Sequence, residues 1–600
     1  MEGLDTMKHK KSNVTFTQRN KLPRHSFMSS IEKRFPIHEH QENAKLCTGA
    51  AYSEMHRDKT IPYSRISETT IDGFPIYIAR NQNGELEATF HQNAHSLIIG
   101  ATGSGKTTGF VVPFLNWMCA KKDKPTIVIS DPKGELNQQT ANFFVENGYK
   151  IIHLNFKDYM TSDCWNPLTK IFKHYQKQLN IENEISVVNE NGKVYNCFKG
   201  KVYRRQKELD AAIYAERDII LAEVSNMIGN IAEAISPVAK KDDPYWDQVS
   251  ATLLRGFLWA MLEDSTPEKT EGRITEETFN FDTLIKIYDS FTDQGHSLND
   301  HGYFTGRDPA TSKAYQLVVS NIIEMAASST RSCIVSSFSE KIKKFRDTSV
   351  RRITCANSIN LNELDDDDQP SVIFISYKDE DSLHYSIISL FISDLYTSLI
   401  AAARRKNGAL KRPCYFILDE FGNFAKFTDF EHVISACRSR NIWFFLIVQS
   451  YAQLYRVYGK ETADIIIDNL NMHFFYGSGN YETKVAFSKE CGMHEVTSPL
   501  SAINGSQKHI EYYINESVPL VPISRLDQLS AGECIITQMS DDVIWSHIER
   551  SYLCPEYQHG MSKILNRPSP IHFFDSQYNY DTGWLTASIR KKMKNNTFDF

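Results

Sequence analysis

Closely spaced cysteines are missing from this chain. Its eleven cysteines are scattered from Cys47 to Cys554, and no two stand at the spacing that zinc sites or disulfide-stapled secreted domains use. Scattered thiols fit a reducing cytosol. Long apolar runs are missing as well: no stretch of about 18 apolar residues occurs. The N-terminal sequence MEGLDTMKHKKSNVTFTQRNKLPRH has no apolar region of the kind a secretory signal needs. No repeat and no low-complexity tract interrupts the chain. A strong charge bias is absent too. The net charge is −6 with a pI near 6.4, which excludes a globally basic nucleic-acid coat. Sixty-seven Lys and Arg can still cluster locally.

What is present is the composition of an ordinary soluble protein. Hydrophobic residues make up 41% and charged residues 23% of 600, enough for a sizeable core and incompatible with wholesale disorder. At about 150 residues per domain the length allows two to four domains. Residues 1–70 are polar and weakly patterned, and residues 1–34 hold eight Lys or Arg against three acids. They are expected to form a basic, flexible N-terminal arm. Beyond them, short apolar runs recur: HSLIIG (95–100), TIVISD (126–131), KIIHLNF (150–156), SVIFISY (371–377), CYFILDE (414–420), IWFFLIVQS (442–450), HFFYGSG (473–479) and ECIITQM (533–539). Their continuity predicts buried parallel strands. Helical stretches such as 110–120 and 430–440 lie between them, so the fold class is α/β with a doubly wound sheet. From about 175 to 350 strand signals nearly vanish and long amphipathic stretches such as 209–235 and 245–263 take over. The domains are expected at 71–175 and 351–555 for the two parts of the α/β domain, 176–350 for a mostly helical insertion, and 556–600 for a tail. The acidic run at 365–368 is expected to be a solvated turn.

GATGSGKT (100–107) matches GxxxxGK[ST], follows an apolar strand and opens a helix. Glycines allow a tight loop whose N–H groups face inward, and the helix N-terminus adds positive potential. Gly100, Ala101, Thr102, Gly103, Ser104, Gly105, Lys106, Thr107 and Thr108 are the candidate nucleotide-binding residues. Lys106 is expected to reach the β- and γ-phosphates of ATP, and the Thr107 hydroxyl to ligate Mg²⁺. Such a loop needs a second strand ending in an acid. CYFILDE supplies it: Asp419 for the metal and Glu420 to orient and deprotonate the attacking water. Asp131, ending TIVISD, competes for the metal role or shapes the site. Gln449 ends another strand, within reach of a γ-phosphate if that strand neighbours the loop's own. Arg438 and Arg440 precede it, where an arginine could stabilise charge on a neighbouring subunit's nucleotide.

Several blocks together resemble the TraG/TraD-like coupling proteins of type IV secretion systems. They are LIIGATGSGKTTGFVVP (97–113), IVISDPKGEL (127–136), HLNFKDYMTSDCWNPL (153–168), DDPYWDQVSATLL (242–254), FILDEFGNFAK (416–426), RSRNIWFFLIVQSYAQLYRVYG (438–459) and GSGNYETKVAFSKECG (477–492). They cover roughly residues 90–545 in the family's order. The resemblance implies a RecA-like P-loop NTPase domain with a mostly helical inserted domain, six subunits around a channel, and ATP hydrolysis at subunit interfaces. It implies DNA, relaxase or relaxosome proteins and the secretion channel as partners. Carried over by motif, Lys106, Thr107, Asp419 and Glu420 keep the roles given above. Arg438 falls at the family's trans-acting arginine and Gln449 at its polar sensor. Family members usually begin with transmembrane helices and end in an acidic tail, whereas this chain shows no such helices and ends RKKMKNNTFDF. The expectation is either a cytoplasmic branch, held at the inner face of the plasma membrane by a separate membrane anchor protein, or a chain that has lost its anchor. Two alternatives remain open on sequence alone. One is a DNA partition motor of the FtsK/HerA kind. The other is a nucleotide-dependent docking platform with little hydrolysis.

Overall fold

The computed structural model of the chain describes residues 46–190, 193–238, 244–292, 303–304, 306–361, 364–365, 368–378, 380, 382–503, 509–539, 541–560, 569 and 580–584. The basic stretch 1–34 and the final RKKMKNNTFDF lie outside them. The chain divides into two compact units: residues up to Asp123 with Phe445–Gln558, and Lys124–Phe444 with the residues from His559 on.

In the first unit the apolar run 95–100 becomes the strand Ser96–Ile99, all four residues buried. It is flanked on both sides by parallel strands. Phe445 to Val448 pair with Ser96 to Ile99 on one side, and Met472–Phe475 on the other. The run 533–539 forms the strand Glu533–Gln538, but it is antiparallel to Met472–Phe475 and to Val543–His547. This corrects the expectation of a parallel strand. A strand buried on both faces reads as a continuous apolar run in either direction, so composition does not carry direction. The helix Val112–Ala120 is buried along its whole length. Its Phe114 packs between Phe74 and Phe445, with ring centroids 6.0 and 4.9 Å away, and the Trp117 indole N–H donates to the Tyr557 hydroxyl at 2.8 Å.

Residues 46–70, assigned to the flexible arm on sequence, are folded. Leu46–Thr48 adds a parallel edge strand beside Val543–His547, and Gly49–Met55 is a helix. Thr60–Pro62 joins Leu86–His91 and Phe74–Arg80 in a three-stranded antiparallel sheet. Tyr52, Ile61 and Ile66 are buried. These three apolar residues are isolated among polar ones, so no periodicity marks them; their partners are distant in sequence.

In the second unit four parallel strands stand in the order Cys414–Leu418, Thr126–Asp131, Ser371–Ser376, Lys150–Asn155. The chain leaves this sheet after Asn155 and returns at Ser371, between two strands already laid down. Between those points come the helices Thr169–Leu179, Gln206–Ile235, Tyr245–Glu263, Phe281–Thr292, Ser328–Ile342 and Thr348–Thr354. Their core is aromatic: Phe257 stacks on Phe338 at 5.5 Å and meets Phe304 edge-on at 5.0 Å. Gly256 permits this packing, because a Cβ there would sit 2.1 Å from Val318 Cγ2. The region is not purely helical. Ser186–Glu190, Lys193–Phe198 and Lys201–Tyr203 form an antiparallel sheet. Its strands are short and mix Ser, Asn, Glu and Lys with the apolar residues, which removed the strand signal from the sequence.

In the acidic run 365–368, expected as a solvated turn, Asp368 is exposed but Asp365 is not, and Asp366 and Asp367 lie outside the described residues. Asp365 is 2% exposed and accepts from the Lys406 ammonium and the Lys411 N–H, each at 3.1 Å, while Asp368 pairs with Lys411 at the surface. One described helix, Leu383–Arg405, has the length and mean hydropathy (1.6) of a membrane span. Two-thirds of that stretch is buried inside the protein, as a core helix should be. All eleven cysteines are free thiols.

Candidate functional site: a phosphate loop and a strand-end acid pair

The candidate residues fall into two groups, one in each unit. In the first unit the loop 100–106 leaves the strand Ser96–Ile99. It is pinned at its start: the Gly100 N–H donates to Val448 O at 2.9 Å and the Ala101 N–H to Gly477 O at 2.8 Å. Gly103 and Gly105 take φ of 80° and 96°, the left-handed region that side chains disfavour. Thr102 and Gly103 are exposed at the tip. Lys106 is 8% exposed, and its ammonium donates to Gly100 O at 2.5 Å and Ala101 O at 3.1 Å. The cation therefore sits over the loop. A Cβ on Gly100 would lie 2.5 Å from Ser104 Oγ and 2.7 Å from Lys106 Cγ, so only glycine lets the lysine fold back here. Thr107 and Thr108 are half-buried in the helical turn Thr107–Val111 that leads into the helix Val112–Ala120, and the Thr108 hydroxyl donates to Gly105 O at 3.4 Å.

The strand Ile442–Val448 lies directly beside the P-loop strand, so Gln449 follows the residue whose carbonyl holds Gly100. The backbone of Gln449 is fixed on both sides. Its N–H donates to Gln453 Oε1 and its carbonyl accepts from Ser478 Oγ, both at 2.9 Å. Sequence reasoning assigned no role to Gly477 and Ser478. They are the loop's second wall, and the signals were their place just after the buried strand Met472–Phe475 and at the start of the block 477–492.

In the second unit Asp419 and Glu420 end the strand Cys414–Leu418 and are half-buried. Glu420 adopts φ 53°, ψ 38°. A non-glycine residue in that region costs about 1–2 kcal/mol, and such strain concentrates at functional sites. The Glu420 N–H donates to Asp419 Oδ1 at 2.9 Å. The Asp419 carbonyl accepts from Ser130 Oγ at 3.0 Å and from the Tyr377 hydroxyl at 3.5 Å. Burial, then the charge of Asp419, pushes the Tyr377 phenol well above its usual range, so it acts as a donor. Ser130 and Tyr377 were not singled out on sequence, although Ser130 is the penultimate residue of the strand beside CYFILDE and Tyr377 follows the strand after that one.

Asp131 is 2% exposed and turned into its own loop. It accepts the Asn137 N–H at 3.0 Å, while its carbonyl accepts from Gly134. Burial pushes its carboxyl up to about 6 against those hydrogen bonds. The carboxylate is thus engaged in holding the Asp-Pro-Lys-Gly turn. Arg438 is exposed at the start of a short helical turn and makes no ion pair among the described residues, whereas Arg440 bonds back to Ala436 O.

The loop fits a phosphate by two observations. Ser104 Oγ is buried and has no hydrogen-bond partner, and the glycine-only space over Gly100 keeps the Lys106 ammonium inside the loop. Among the described residues no cluster of three or more His, Cys, Asp or Glu exists.

Fold and loop together define a RecA-like P-loop NTPase with an inserted helical region. The chain belongs to the family of type IV secretory system conjugative DNA transfer proteins, whose model matches residues 50–511. A curated relative is the coupling protein TraD of Escherichia coli (strain K12), 22% identical over 267 residues, 44% of this chain. The match spans about a third of that relative's length, 34%. Among solved structures, the conjugative coupling protein TrwBdeltaN70 with sulphate aligns with a TM-score of 0.53 at 13% identity, covering 85% of this chain and 94% of that one. TrwB with a non-hydrolysable ATP analogue aligns at 0.53 and 14%, covering 87% and 98%. TrwB with ADP and Mg²⁺ aligns at 0.53 and 14%, covering 85% and 94%. These likenesses establish the fold.

Proposed function

We propose that the chain is an ATP-hydrolysing DNA translocase. It acts as the coupling protein that delivers relaxase-bound DNA, or protein, to a type IV secretion channel. The observation that carries this reading is the lysine stored over its own loop, with an orphaned serine oxygen beside it, in a chain of the conjugative DNA-transfer family. TrwB, which shares the fold, has been solved with ADP and Mg²⁺.

In this reading the Lys106 ammonium exchanges the Gly100 and Ala101 carbonyls for β- and γ-phosphate oxygens. Loop N–H groups and the helix N-terminus bind the remaining charge. Thr107 and Asp419 hold Mg²⁺. The metal neutralises charge on the phosphates. Glu420, held out of ordinary backbone geometry, takes the proton from the attacking water. Gln449 senses the γ-phosphate from the neighbouring strand. Arg438, exposed and without an ion pair among the described residues, serves the nucleotide of the adjacent subunit in a homo-hexamer. DNA is gripped mainly through phosphates, so binding is salt-sensitive and weak in sequence preference. The inserted helical region, roughly 176–350, faces cargo, and a separate membrane protein holds the ring at the inner face of the plasma membrane.

ATP turnover of the purified chain with and without DNA tests this, alongside Lys106→Ala and Glu420→Gln. The expected result is DNA stimulation that vanishes in both variants. Tight ATP binding with no turnover in either condition would replace the motor by a docking platform.

A further inference from the structure

The chain carries a net charge of −6, yet residues 193–207, KVYNCFKGKVYRRQK, hold six Lys or Arg and no acid. They make two strands of the antiparallel sheet Ser186–Glu190, Lys193–Phe198, Lys201–Tyr203 and the first turn of the helix Gln206–Ile235. The register sorts them. Lys201 stands opposite Phe198 and Tyr203 opposite Asn196 on one face; Val202 stands opposite Cys197 on the other, which alternation shares with Tyr195 and Lys193. Each face pairs a cation with a tyrosine. The Lys201 ammonium lies 5.3 Å from the Tyr203 ring and the Arg204 guanidinium 5.8 Å from the Tyr195 ring.

Much of this sheet is open to solvent. Phe198 and, on the helix below, Leu209 are buried, whereas Val187 and Val194 are each 65% exposed. Near its base Tyr195, Tyr203, Arg204 and Arg205 line a cleft of about 130 Å³. Among the described residues Lys199 pairs with Glu216 and Arg205 with Glu208. Lys193, which stands opposite Glu190 in the register, Lys201 and Lys207 are exposed and have no ion pair among the described residues. Such a cluster stores like-charge repulsion that a polyanion relieves. Tyrosines among the cations add stacking faces, the combination that binds single strands without sequence preference. An anionic bilayer surface is matched instead by Trp, Phe or Leu beside the cations; here the exposed apolar residues of the sheet are two valines.

We propose that this sheet is a wing that binds single-stranded nucleic acid, with phosphates on Lys193, Lys201 and Lys207 and bases against Tyr195 and Tyr203. The inference rests on the DNA-motor reading and gives it a contact surface outside the nucleotide site.

The test is fluorescence anisotropy of the full chain with a labelled oligothymidylate about 20 nucleotides long, repeated over a range of salt. Replacing Lys193, Lys201 and Lys207 by Glu, and in a second variant by Gln, is expected to weaken binding more than about tenfold. The slope of log affinity against log salt falls by about 0.7 per lysine removed. Tyr195→Ala with Tyr203→Ala weakens binding at least about fivefold and leaves that slope unchanged. All variants should unfold at the wild-type temperature. Wild-type affinity and slope in both lysine variants overturn the wing while leaving the motor standing. Lysine variants that lose phosphatidylserine vesicles but keep the oligonucleotide make it a membrane contact instead. A wild-type chain that binds no DNA at all overturns wing and motor together.

Discussion

The Gly100 N–H donates to the carbonyl of Val448 at 2.9 Å. One hydrogen bond thus ties the first residue of the phosphate loop to the residue before Gln449. Any displacement of the loop on binding a phosphate is felt at the C-terminal end of the neighbouring strand Ile442–Val448, and Ser478, bonded to the Gln449 carbonyl, closes the same circuit. Gln449→Ala is therefore expected to slow turnover by about 10-fold or more while leaving ATP affinity within a factor of a few, because phosphate binding rests on the loop. Steady-state hydrolysis beside equilibrium binding of a fluorescent ATP analogue separates the two effects.

Gly100→Ala tests the space over the loop. The new methyl would meet Ser104 Oγ at 2.5 Å and Lys106 Cγ at 2.7 Å. Overpacking of this kind costs about 1–3 kcal/mol. It acts here by pushing Lys106 off its carbonyls, so nucleotide affinity should fall at least about tenfold. Lys106→Ala should abolish binding without changing the fold. An unaltered dissociation constant in Gly100→Ala contradicts the stored-lysine account.

The strand-end acids were legible and their setting was not. CYFILDE announces a buried strand and two acids, and the structure delivers both. The left-handed backbone of Glu420 and the two hydroxyls on the Asp419 carbonyl come from strands that pair only in three dimensions. The same reason explains Leu46–Thr48, the wing strands and the reversed direction of Glu533–Gln538. Periodicity reports which residues are buried, not which neighbour they meet or in which sense. The loop 100–107 needed no such context, because glycines, lysine and threonine at fixed spacing carry their geometry with them.

Glu420→Gln should bind ATP as well as the wild type and hydrolyse it about 10²–10⁴-fold more slowly, the range for loss of a general base. The ATP-bound variant is then expected to hold DNA stably. Turnover within a factor of two of the wild type would remove Glu420 from the chemistry.

Arg438 is exposed and makes no ion pair among the described residues, which suits a group acting on another subunit. Arg438→Ala alone should hydrolyse poorly, and Lys106→Ala not at all. Mixed rings of the two should regain activity, since some interfaces then combine an intact loop with an intact arginine. Mixtures that never exceed the sum of the separate activities would place Arg438 outside the reaction.

Asp131 predicts a pH effect. Its carboxyl titrates near 6 in the fold against 3.8 for the unperturbed group, because burial disfavours the charge. Between those values the folded state binds more protons than the unfolded one, so its contribution to stability falls as pH rises from about 4 to about 6 and is constant above. Asp131→Asn keeps an acceptor for the Asn137 N–H and removes the titration. The difference in unfolding midpoint between wild type and variant should therefore slope across that window and flatten above it. A difference independent of pH would contradict the buried carboxylate.

The central claim is movement along DNA driven by ATP. Its most direct measurement is displacement of streptavidin from the biotinylated end of single- and double-stranded DNA by the purified chain. The account predicts ATP-dependent displacement that is lost with Lys106→Ala and with Glu420→Gln. DNA-stimulated hydrolysis that never displaces the block from either substrate would contradict it.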